Sequence, residues 1–134
     1  MKTILICVLT VFSTIDFSQA EADRIIGYYY LKDPDSKQGV QVYIYKNIEG
    51  NYDGKITWTE QPSENIGYIF LKDFKYNTEK DEWDKGLIYN PEKEKKYKSY
   101  LKFETPIRLK VRGFLGLSLL GQTMYWNKEE TERK

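Results

Sequence analysis

From Ile25 onward, apolar and polar residues alternate in short runs separated by turn residues, and a period of two predicts strands. Val40, Val42 and Ile44 alternate with Gln41, Tyr43 and Tyr45, after the turn cluster Asp33-Pro34-Asp35-Ser36. Glu49-Gly50-Asn51 then forms a hairpin connection to a strand from Tyr52 to Glu60, in which Tyr52, Gly54, Ile56 and Trp58 share one face. Gln61 to Asn65 is a loop, Ile66 to Tyr76 a strand, and Asn77 to Asp81 a polar turn. Glu82 to Asn90 and Lys95 to Glu104 are further strands, separated at Pro91. Ile107, Leu109 and Val111 alternate strictly with Arg108, Lys110 and Arg112, the pattern of a half-buried strand. Gly113 to Gly121 reads as a glycine-spaced apolar loop, Met124 and Trp126 end the last strand, and Asn127 to Lys134 reads as a frayed, charged tail.

With Ile25–Leu31 included, this gives about eight short strands and no useful helical period. The expected fold is all-β: one antiparallel up-and-down barrel, in which closure removes the sheet edges. An open sandwich is the alternative. Alternation assigns Val40, Val42, Ile44, Ile56, Trp58, Leu101, Phe103, Leu109, Val111, Met124 and Trp126 to the inward face. It does not decide whether side chains fill the interior or leave room for one small ligand.

The first twenty residues change the compartment. Lys2, the apolar run Ile4–Phe12 and Ser18-Gln19-Ala20 have the order of a signal peptide with cleavage after Ala20. The run is too short for a permanent membrane span, and the expected location is periplasmic or secreted. The domain is then 21–126, with 127–134 as its tail. The chain's one cysteine, Cys7, leaves with the signal, so packing alone must hold the exported domain.

Charge and composition exclude more than they assign. Basic and acidic residues nearly balance, 21 against 20, which argues against a nucleic-acid partner. The lysines at 93, 95, 96 and 98 are interrupted by Glu92 and Glu94 and read as a solvated hairpin. Aromatic residues make up 16% of the chain, enough to argue for a packed β structure despite its 31% charged residues. The chain has no histidine, and its one cysteine lies in the signal segment. Histidine-based triads, thiol nucleophiles and the common zinc sites are therefore excluded, and no cofactor, metal or catalytic residue is assigned. Asp81, Glu82 and Asp84 could couple as carboxylates, but lysines crowd them and a solvated turn is the better reading.

Gly116 to Thr123 has the outline of a phosphate loop, but Gln122 stands where lysine is required and a strand-like segment follows. The glycines and leucines there fold either as a plug over one barrel end or as a lid or contact patch. Tyr43, Tyr45, Tyr100 and Tyr125 fall on the outer face, as cross-strand pairs or as a surface for glycans or a protein.

Four blocks carry a family resemblance: Ile26-Gly27-Tyr28-Tyr29; Tyr52-Asp53-Gly54-Lys55-Ile56-Thr57-Trp58; Gly86-Leu87-Ile88-Tyr89-Asn90-Pro91 with Lys96-Tyr97; and Leu109 to Gly116 with Leu119 to Thr123 and Trp126. In this order they resemble a family of small secreted bacterial proteins, domain-of-unknown-function family 2147. The family usually has aspartate where Asn90 stands, and many members carry cysteines near the second block that this chain lacks. The resemblance implies a lipocalin-like barrel outside the cytoplasm and no assigned reaction or ligand.

Two function classes follow. One is a non-catalytic binding protein for a small apolar or amphipathic ligand. The other is a cell-envelope interaction module that contacts a protein or glycan through outer aromatics or the 113–121 loop. A ligand site is expected at the barrel end covered by Phe114 to Leu120, lined by Trp58, Tyr89, Leu117 and Trp126, with Arg112 as a polar anchor.

Overall fold

The computed structural model describes residues 19–134 apart from 35, 92, 93 and 116, with backbone only at 114, 115 and 117–121. A helical turn over residues 19–23 leads into eight strands: β1 (Gly27–Lys32), β2 (Gly39–Lys46), β3 (Tyr52–Thr59), β4 (Ile69–Asn77), β5 (Glu82–Asn90), β6 (Lys95–Thr105), β7 (Arg108–Leu115) and β8 (Leu117–Glu129). Each strand pairs antiparallel with the next, and β1 closes on β8 through Tyr28↔Glu129, Tyr29↔Lys128 and Tyr30↔Asn127. This closure makes the barrel and removes the open-sandwich alternative.

Ten of the eleven residues expected to face inward belong to the core or pack against it. The exception is Trp58. Gln41 pairs with Trp58 while Val42 pairs with Ile56, so a bulge at Thr57 breaks the period. Ile56 stays inside, and Trp58 turns to the outer wall, where the Arg133 guanidinium lies 5.1 Å from its ring. Alternation across that strand therefore failed by one residue.

Three boundaries also differ from the sequence reading. Ile66 and Tyr68 are exposed in the connection before β4, where Gly67 adopts φ 89° and donates its N–H to the Ile56 carbonyl. The expected loop from Gly113 to Gly121 is instead the end of a hairpin, because Gly113 pairs with Gln122 and Leu115 with Leu117. The chain beyond Trp126 is not frayed. β8 continues to Glu129, and the segment after it covers Gln41. The Gln41 amide donates to Glu129 Oε1 and the Thr131 carbonyl, both at 2.9 Å, and its oxygen accepts from the Arg133 N–H. A fully buried glutamine is tolerable only with such partners.

The interior grades from large to small along the barrel axis. At the end carrying the helical turn, Tyr29, Tyr52, Phe74, Trp83 and Phe103 fill the cross-section, with Trp83 edge-on to Phe103 at 5.7 Å. At the other end the inward positions are Val40, Ile56, Ile88, Gly113, Gln122 and Met124. Aromatic bulk closes one end, and among the described residues the smaller side chains at the other leave it open.

Candidate functional site

The open end contains a cavity of about 490 Å³, within the size range of small-molecule pockets. Its wall is apolar: Val40, Val42, Ile56, Phe70, Ile88 and Met124, with Trp126 packed 5.9 Å from Phe70. Its rim is polar and comes from the connections after β1, β3 and β5, including Asp33, Gln38, Asn65 and Asn90. The inner face of β7 contributes Gly113, where an added Cβ would meet no described atom within 4 Å. The position opposite it on β8 is Gln122. This glutamine stands on a strand and lines the cavity, so the helix that a phosphate loop requires is absent there.

The residues expected to form the site separate. Trp126 and Tyr89 line the cavity. Tyr89 follows inward-facing Ile88, and its ring carries the Lys72 ammonium at 4.8 Å. It is therefore a rim residue, placed against its outer neighbour. Trp58 is absent from the described lining for the reason given above. Arg112 is absent too: it pairs with Thr123 across β7 and β8 and donates to the Thr123 hydroxyl at 2.7 Å. Leu117 starts β8, and its side chain lies outside the described residues. Phe70 and Ile88 complete the wall and were not among the expected site residues. Ile88 was readable from alternation with Gly86, whereas Phe70 turns inward because the register shifts between Gly54 and Lys55.

Two cavity-lining residues each bury one polar atom, the Trp126 indole N–H and the Gln38 amide oxygen, with no hydrogen-bond partner among the described residues. Such atoms carry a cost that an added partner removes.

The closed end is built differently. Trp83 Nε1 donates to the Ala22 carbonyl at 3.0 Å, and the Tyr29 hydroxyl donates to the Ile25 carbonyl at 2.8 Å. The Arg24 guanidinium lies 5.4 Å from the Trp83 ring and pairs with Asp81 at 2.5 Å. Asp23 accepts from the Tyr52 hydroxyl at 2.6 Å and from Lys46 at 2.8 Å. Burial alone would raise the Asp23 carboxyl, but these donors and the Lys46 charge outweigh it and hold it below the ordinary range. Burial raises the Tyr29 and Tyr52 hydroxyls, so both stay neutral. The groups here are paired with one another and form a floor.

Among the described residues, no group of three histidine, cysteine, aspartate or glutamate side chains is arranged to hold a metal ion. No described helix is long and apolar enough to cross a membrane.

A closed eight-stranded barrel with a plugged floor and an apolar cavity at its mouth defines a lipocalin-like protein. The chain belongs to the family of uncharacterised proteins conserved in bacteria known as domain of unknown function 2147, matched over residues 27–128. A search of curated proteins found no match. Among solved structures, the chain is similar to protein HP1028 from the human pathogen Helicobacter pylori, described as belonging to the lipocalin family. The TM-score is 0.65 at 15% sequence identity, over 79% of this chain and 83% of that one. At that identity the likeness concerns the fold.

Proposed function

We propose that this protein is a non-catalytic carrier or sensor, acting in the periplasm or outside the cell, that binds one small apolar or amphipathic molecule in the barrel mouth. The observation that carries the reading is the cavity itself, with an apolar wall, a polar rim and a sealed floor. Trp126 is the one tryptophan of the three in the lining, so its emission reports occupancy.

Gly113→Leu tests the reading, because the new side chain enters space that is open in the native barrel. The expected result is saturable quenching or shifting of Trp126 emission by alkyl amphiphiles. Each added buried methylene should tighten binding about fourfold. Gly113→Leu should weaken it by about tenfold or more without lowering the unfolding midpoint. Equal binding by the two proteins would sink the cavity reading. The outer tyrosines would then become the better candidate: Tyr28, Tyr43 and Tyr45 form a contiguous row on β1 and β2, with centroids 4.7 and 5.9 Å apart.

A further inference from the structure

We propose that the group recognised inside the cavity is an uncharged carboxamide, selected by Gln122, so that the favoured ligand is an amide-headed amphiphile and neither a fatty acid nor an amine. The inference rests on the cavity reading above and adds the chemistry of the head group to it. Two polar side chains lie on the inner wall itself, Tyr97 on β6 and Gln122 on β8. Tyr97 continues the inward series of Ser99, Leu101 and Phe103, and Gln122 that of Met124 and Trp126. Both can be reached, since Gln122 is exposed and Tyr97 half-buried. Neither side chain has a hydrogen-bond partner among the described residues.

Gly113 leaves room over them. It pairs with Ser99 on one side and with Gln122 on the other, and a Cβ there would meet no described atom within 4 Å. Ser99 is buried and donates its hydroxyl to the Arg112 carbonyl at 2.6 Å, so it adds nothing at this level. β6 and β8 stand about 10 Å apart across β7, a span that a head group lying over Gly113 bridges. A carboxamide carries two N–H donors and a carbonyl. The glutamine amide gives it one hydrogen bond and takes one, and the Tyr97 hydroxyl is left for a further bond to its carbonyl. An alcohol matches only part of this set. Charge has no counterpart on the wall. The described lining contains no lysine or arginine, and residues 114–121 read FLGLSLLG. Arg112, beside Gly113, alternates to the outer face and donates to the Thr123 hydroxyl. The one lining carboxylate, Asp33, belongs to the β1–β2 turn, where it accepts from the Ser36 N–H at 3.3 Å. A carboxylate or ammonium head on this wall would lose water without gaining an opposite charge, which costs more than burying a neutral amide.

Octanamide, octanol, octanoate and octylamine share a short tail and differ in the head, and each is titrated at neutral pH by Trp126 emission and by calorimetry. The expected order is amide, then alcohol, then the two charged heads, with amide over carboxylate by about tenfold or more. Gln122→Leu keeps a side chain of similar size and removes both hydrogen-bonding groups; it should bring the amide down to the level of the alcohol. Gln122→Glu puts a negative charge on the wall and should raise octylamine above octanamide. Should Gln122→Leu lower the unfolding midpoint, Tyr97→Phe takes its place, and loss of that one hydroxyl should narrow the amide-to-alcohol ratio about threefold. Octanoate or octylamine binding the native barrel as tightly as octanamide would overturn the head-group assignment while leaving a binding cavity. So would an amide-to-alcohol ratio that the folded variant leaves unmoved. No binding by any of the four would overturn the cavity reading and the assignment together.

Discussion

Single residues decide where this barrel is full and where it is empty. Gly86 and Gly113 both face inward, yet they have opposite roles. A Cβ built at Gly86 would lie 2.3 Å from Cδ2 of Phe74, whose ring is wholly buried and has no solvent to swing into. A Cβ at Gly113 meets no described atom within 4 Å. Gly86→Ala should therefore cost about 1–3 kcal/mol through overpacking. Gly113→Ala should be neutral or stabilise by about 0.4–1 kcal/mol, because it restricts the unfolded chain. Urea unfolding with an unchanged slope checks both, and an equal effect of the two substitutions would contradict the packing gradient. The sequence shows Gly86 as a glycine on a strand and Gly113 as the start of an apolar loop. It does not show that a phenylalanine from β4 covers one of them, because that contact depends on the β4–β5 register. Trp58 was illegible for a similar reason. The bulge at Thr57 leaves no mark in the hydrophobic pattern, and the Gln41 that faces Trp58 is buried by a tail distant in sequence.

At the level of elements, alternation located the strands well because each has one wet and one dry face. β5 runs over Glu82–Asn90 as its pattern predicts. Alternation failed where side chains cannot report the fold, in the β7–β8 hairpin. Its glycines and leucines read as a loop, although backbone pairing carries strand geometry to Leu115 and resumes it at Leu117. The floor was equally hidden, since it depends on pairings between the chain start and strands β1, β2, β3 and β5. Those pairings predict a pH response. The hydrogen bond from the Tyr76 hydroxyl, followed by the Arg24 charge and hydrogen bond, outweighs burial and holds the Asp81 carboxyl low; Asp23 is held low as described above. A carboxyl depressed in the folded state binds fewer protons there than in the unfolded chain. Its contribution is thus fully present above the ordinary carboxylate pKa of about 4 and is lost as pH falls through the folded value. Stability should be level from neutral pH down to about pH 5 and decline below about pH 4. Asp23→Asn and Asp81→Asn should each lower stability at neutral pH and flatten the acid limb. Both groups are partly exposed, so each effect is modest. Thermal unfolding from pH 7 to 3 measures it, and parallel curves for wild type and both variants would exclude the floor carboxylates as the cause.

On the scale of the whole molecule, the barrel has a built end and an open end, and the built end depends on residues that precede the family match at Gly27. Ala22, Ile25 and Ile26 pack against the core, with Ile25 fully buried, and the Ala22 carbonyl accepts the Trp83 indole N–H. The expected processing point after Ala20 falls just before these anchors, and Gln19 and Ala20 are exposed. Cleavage at that point would leave every floor contact named here in place, beginning with Glu21, whose carbonyl accepts from Arg24. A chain beginning at Glu21 should unfold at the same midpoint as one beginning at Gln19. A chain beginning at Gly27 loses Ile25, worth about 2–5 kcal/mol by analogy with core truncations. It also strands the buried Trp83 N–H and Tyr29 hydroxyl, each adding about 1–3 kcal/mol. Against a total stability of about 5–15 kcal/mol, that loss should leave the shortened barrel largely unfolded or open at both ends. Near-ultraviolet circular dichroism and denaturant unfolding of the three chains give the test. A shortened chain as stable as the chain from Glu21 would mean that the barrel closes without its floor, and the aromatic packing would then have to seal that end unaided.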